Sequence, residues 1–165
     1  MTRKMYITTA ALVLIGLAAM TGASGIIEPK GPSRAYLHSY NLPSSGVVLE
    51  GYCPVAYFEA GKPVRGKAKY ASTHNDVTYY FVSNGARKMF DANPEKYVPA
   101  YGGWCAFGMA VKDKFPVDPT NFKIVNGRLL VFLKNKNVDA REKWNDGNER
   151  KLLARAASHW KKVGG

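Results

Sequence analysis

A chain of 165 residues, 46% of them hydrophobic, is long enough for one domain with a real core and too apolar to stay disordered. Its 24 lysines and arginines against 12 aspartates and glutamates give a net charge of +12, which points to anionic partners such as a membrane surface or an acidic polymer. No run of five cations and no nucleic-acid-binding motif is present, so nucleic acid is set aside as a partner.

At the start, Arg3 and Lys4 precede an uncharged, mostly apolar stretch over residues 5–20. The small residues Thr21-Gly22-Ala23-Ser24-Gly25 follow. This is the pattern of an export signal over residues 1–25. The stretch is shorter than the ~20 apolar residues a spanning helix needs, so cleavage is expected, with an uncleaved N-terminal anchor as the alternative. Either outcome places the body in an exported compartment, periplasmic or extracellular, where a disulfide persists.

Residues 26–46, with Pro29, Gly31, Pro32, Pro43 and Gly46, read as a linker, and the domain is expected over 47–163. Residues 47–58, including GYCPVAYF, read as extended around Pro54. Gly61-Lys62-Pro63 reads as a turn. Residues 69–72 and 77–82 are strand candidates joined at Asn75-Asp76, both tolerant of left-handed backbone angles. VTYYFV is β-branched and aromatic throughout, as a strand buried on both faces would be.

Ser83 caps a predicted helix over 84–92, with Ala86 and Phe90 on one face. Pro94 ends that helix and opens a further turn capped by Asn93. The glycine-rich YGGWCAFGM comes next. In FKIV-NG-RLLVFL, two apolar runs flank Asn126-Gly127, the preferred pair for a type I′ hairpin. The tail, 138–163, reads as a C-terminal helix-turn-helix broken at Asp146-Gly147, with Asn148 as a cap. Leu153, Ala156, Trp160 and Val163 form its stripe, and Gly164 stops it. No internal repeat is legible. The expected class is α+β: a small antiparallel sheet with helices packed on one side.

The chemistry centres on the chain's two cysteines, Cys53 and Cys105. Cys53 is a disulfide half, a metal ligand, a nucleophile or a small buried residue. A Cys53–Cys105 bridge would close a long loop, worth about 4 kcal/mol in the chain-entropy model. Cys105 and Met109 stand four residues apart, and both are soft donors that suit Cu(I). His74 sits at an expected hairpin tip, where it serves as a ligand or proton carrier if the tip folds over Cys105. The metal set is therefore Cys105, Cys53, His74 and Met109. A cysteine enzyme would need Cys53 or Cys105 beside His74, with Asp118 as orienter. No P-loop, G-x-G-x-x-G, G-x-S-x-G or H-E-x-x-H motif occurs.

Several stretches together resemble the YHS domain family in its exported, longer form. YYFVSNGARKMFDANPEKYVPAYGGWCAFGMA follows the family's order of aromatic strand, Ser-started helix, Asn/Asp-Pro-Glu-x-Tyr turn and Tyr-Gly-Gly-aromatic-Cys-Ala. GYCPVAYF, STHND, Asp118-Pro119, KIVNGRLLVFL, Trp144 and Trp160 extend the likeness over residues 47–160. The resemblance implies a binding module for a soft metal, copper first and zinc second. Where short members of the family carry cysteine ligands, this chain has Val82 and Ala86. Where exported members carry Asp, it has Cys53. The alternatives are a disulfide-stabilised structural module that binds an exported protein partner without metal, and the cysteine enzyme.

Overall fold

The computed structural model describes residues 39–164. The expected export signal and most of the linker lie outside the described residues. The fold is mixed α+β, with antiparallel strands in two separate two-stranded sheets rather than the one sheet expected.

A tight left-handed turn, Val48–Gly51, leads into helix α1 (Pro54–Glu59), then strands β1 (Lys67–His74) and β2 (Val77–Phe81). Helices α2 (Asn84–Ala92) and α3 (Pro94–Tyr97) follow. A second left-handed turn, Ala100–Gly103, leads into α4 (Ala106–Ala110), β3 (Asp118–Val125), β4 (Arg128–Phe132), α5 (Ala140–Asn145) and α6 (Glu149–Val163). No helix among the described residues is long and apolar enough to cross a membrane.

The element order runs twice. Leu49, Glu50 and Gly51 have φ of 55°, 52° and 82°; Tyr101, Gly102 and Gly103 have 57°, 59° and 80°. Just before each turn, Val47 bridges Thr78 and Pro99 bridges Leu129, both in parallel. The Cys53 amide donates to Val64 O at 2.9 Å, and the Cys105 amide donates to Phe115 O at 3.1 Å. Lys67 pairs with Phe81 and Asp118 with Phe132, and each hairpin has one register shift at the same place. Behind each hairpin an alanine and an aromatic residue four positions on are buried: Ala86 and Phe90 in one copy, Ala140 and Trp144 in the other. Their rings lie on Phe81 and Phe132 respectively. The chain is thus a structural tandem repeat, which the sequence alone did not disclose.

Both hairpin turns are as expected. Asn75 and Asp76 have φ of 49° and 60°, Asn126 and Gly127 have 50° and 71°, the signs a type I′ turn requires. Ser83 caps α2 through the Ala86 amide, and Asn148 caps α6 through that of Lys151. Residues 47–58 are not extended, because Pro54 stands at the first position of α1, where its fixed φ favours a helix start. Nor is residue 39 onward a free linker. The Asn41 amide donates to Gly102 O at 2.9 Å and its side chain to Gly103 O at 3.1 Å.

Two apolar clusters form the interior. The first holds α1, β2 and α2 side chains; the second holds α4, α5 and α6 side chains. β4 lies between them. Leu129 and Val131 enter the first cluster, Leu130 and Phe132 the second. The strand buried on both faces is therefore β4. In VTYYFV only Val77, Tyr79 and Phe81 are buried, and Thr78 and Tyr80 are half-exposed. Tyr57 ties the copies together. Its hydroxyl donates to Pro119 O at 2.9 Å, and its ring meets Phe122 edge-on.

Candidate functional site

The repeat answers the question posed by the two cysteines. Cys53 and Cys105 occupy the same place in the two copies, each preceding the first residue of a short helix, and each is fully buried. Cys53 belongs to the first cluster and Cys105 to the second, and both are free thiols. No bridge joins them in the structure, where each sulfur sits in a different apolar cluster. We expect two thiols per chain when unfolded, non-reduced protein is titrated with a thiol reagent, and none accessible in the folded state. A count of zero after unfolding would restore the bridge.

The Cys105 sulfur accepts from the Gly108 amide at 3.4 Å. Burial pushes its thiol pKa up, against backbone hydrogen bonds at Leu133, Gly108 and Phe107 that pull it down. A thiol held protonated is a poor nucleophile and a poor metal ligand. Met109 is fully buried beside it in the second cluster. His74 lies elsewhere, at the end of β1. Its Nε2 is 3.0 Å from Glu95 Oε1 and 3.1 Å from Asn75 Nδ2, and its ring stands edge-on to Phe90. Asp118 Oδ1 accepts from the Thr120 amide at 2.8 Å and from its hydroxyl at 2.7 Å. Among the described contacts neither His74 nor Asp118 hydrogen-bonds either cysteine. Among the described residues no group of three or more His, Cys, Asp or Glu is placed to hold a metal ion. Of the four expected ligands, Cys53 lies in the first cluster, Cys105 and Met109 in the second, and His74 at the end of β1.

What the fold does assemble is a cleft of about 240 Å³ where the first copy hands over to the second. Glu95 and Lys96 line it from α3, Tyr101 from the second left-handed turn, Arg128 from the start of β4, Trp160 from α6, and Tyr40 from the N-terminal segment. The Arg128 guanidinium carbon stands 5.1 Å from the centre of the Tyr101 ring, within cation–π range. Tyr101 itself is 2% exposed, and its ring meets that of Trp160 at 69°. Burial pushes the Tyr101 phenol pKa up, and Arg128 pulls against that rise. Arg128 acts on the Tyr101 hydroxyl both by its charge and by a side-chain hydrogen bond. Arg128 makes no ion pair among the described residues; the five pairs present involve other groups.

The left-handed strain at Tyr101 is not itself a functional signature, since Leu49 carries the same strain in the first copy. Gly102 does have a local reason. A Cβ there would lie 2.6 Å from Ser39 O and 3.0 Å from the Trp160 ring. The glycine pair in YGGWC signals this close approach, but nothing in the sequence joins Arg128, Glu95 and Trp160 to it.

No protein-family model, curated protein or solved structure matches the chain. The likeness to the YHS family rests on the motifs quoted above.

Proposed function

We propose that this protein is an exported binding module that works without thiol chemistry and takes a small carboxylate with a flat apolar body in the cleft between its two copies. The observation that carries this reading is Arg128: an exposed guanidinium with no ion pair among the described residues, standing in a cleft wall over the buried Tyr101 phenol. A guanidinium presents parallel donors matched to a carboxylate. Trp160 and Tyr40 supply faces for an apolar body. A volume below the ~300 Å³ at which drug-sized sites begin favours a single-ring molecule.

Titration calorimetry with benzoate and phenylacetate tests the reading. Saturable binding is expected, weakened about tenfold or more in Arg128→Ala, as loss of a charge-assisted hydrogen bond implies. Arg128 is exposed, so that variant should melt like the parent. Absence of saturable heat with either carboxylate, or binding indifferent to Arg128→Ala, would sink it.

The copper or zinc reading keeps one local feature, the soft pair Cys105 and Met109 on a single turn of α4. It lacks a third described donor beside them.

A further inference from the structure

Helix α6 is amphipathic in an uneven way. Its inward residues Leu152 and Ala156 pack in the second cluster, against α4 side chains. Outward it carries Arg150, Lys151, Arg155, Lys161 and Lys162, all exposed. Its one acid, Glu149, is taken by Lys123 and by the Trp144 indole N–H. None of the five cations makes an ion pair among the described residues. A shallow depression of about 440 Å³ lies between this face and the end of α4, lined by Lys112, Arg155, Ser158, His159 and Lys162. Beside Lys112 stands Val111, an apolar side chain left 49% exposed.

A second observation concerns where the chain enters the fold. The Ser39 carbonyl accepts from the Trp104 indole N–H at 2.9 Å and packs against Gly102 beside the Trp160 ring. Lys114, over the Trp104 ring, donates to Val163 O at 3.3 Å. The segment preceding residue 39 therefore meets the fold at the C-terminal end of α6, the end bearing Lys161 and Lys162. That segment contains the apolar stretch 5–20, and the residues after it span at most about 60 Å fully extended.

We propose that the outer face of α6, with Val111 and Lys112, docks on an anionic phospholipid surface, the membrane to which the apolar N-terminal stretch directs the chain. The unpaired cations supply attraction that grows with each Lys or Arg near the headgroups. Val111 supplies an apolar contact at the same place. Stable attachment takes two signals, one apolar and one polybasic, and the chain carries both where residues 5–20 stay uncleaved as an anchor.

The test uses the full chain in vesicles of phosphatidylcholine, with and without phosphatidylglycerol. Both native cysteines are buried, so Ser158→Cys accepts a fluorescent donor selectively, and the lipid headgroups carry the acceptor. Energy transfer should be about threefold or more greater in the anionic vesicles and should collapse at about 0.5 M salt. Arg155→Glu with Lys162→Glu in the same background should abolish the difference, and unchanged circular dichroism would show the fold intact. Equal transfer in both vesicle types, or a difference surviving the charge reversal, overturns the proposal. So does a response to a soluble polyanion such as heparin with none to vesicles.

Discussion

Replacing Trp144 with alanine is expected to cost about 3–5 kcal/mol of folding stability, the usual range for emptying a large aromatic site in a core. Trp144 is fully buried in the second cluster, where its ring meets Phe132 at 5.6 Å between centroids. Its Nε1 donates to Glu149 Oε2 at 2.8 Å, which fixes the start of α6 against the end of α5. Domains of this size have about 5–15 kcal/mol in total, so the variant should sit near its unfolding midpoint in mild denaturant. Trp144→Phe keeps most of the area and the ring contact but loses the N–H, and should cost about 1–2 kcal/mol. Urea unfolding with an unchanged slope measures both. A cost under about 1 kcal/mol for the alanine variant would mean that the second cluster does not hold the fold.

The second large effect is expected at Asp139. This carboxylate precedes α5 and accepts from four donors: the Arg141 and Glu142 amides, the Asn121 side chain at 2.9 Å and the Lys134 ammonium at 2.8 Å. Its side chain is only 10% exposed, and the Lys134 bond above all holds its pKa far below the usual carboxylate range. Asp139→Ala removes the helix cap and strips a partner from buried Asn121. Together these losses amount to about 2–3 kcal/mol at neutral pH. The sign of the acid dependence follows from the lowered folded-state pKa. The unfolded chain binds this proton at about pH 4, so the contribution is complete above that value and fades as pH falls toward the folded pKa. Glu149, lowered by Lys123 and Trp144, adds in the same direction. The gap between parent and variant should therefore be widest near pH 7 and shrink steadily as pH falls below about 4. A gap that is independent of pH would remove Asp139 from the acid response.

Local features were legible because their causes are local. Asn126-Gly127 turns the chain because both residues accept positive φ, and Ser83 and Asn148 cap helices because their side-chain oxygens reach an amide three residues on. Pro54 misled because a proline inside an apolar run suits an edge strand as well as a helix start, and only the packing decides. The repeat stayed hidden because the two copies share backbone geometry more than residue types. Glu50 stands where Gly102 does, Tyr57 where Met109 does, Phe90 where Trp144 does. Cys53 and Cys105 were visible as a pair, but their kinship is positional and not covalent. The cleft was beyond reach for a different reason. Its members come from Tyr40 to Trp160, and no periodicity links residues so far apart in sequence.

The tandem organisation also has an evolutionary and stoichiometric consequence. Two separate identical half-chains meeting in the same way would present every junction surface twice and would assemble only above some concentration. Joined in one polypeptide, the halves find each other at the millimolar effective concentration a short connection provides. Each side of the junction is then free to drift alone. Here that junction draws Glu95 and Lys96 from the end of one copy, and Tyr101, Arg128 and Trp160 from the other. One copy brings an acid beside a base and the other a lone cation, Arg128, so the junction is asymmetric and occurs once per chain.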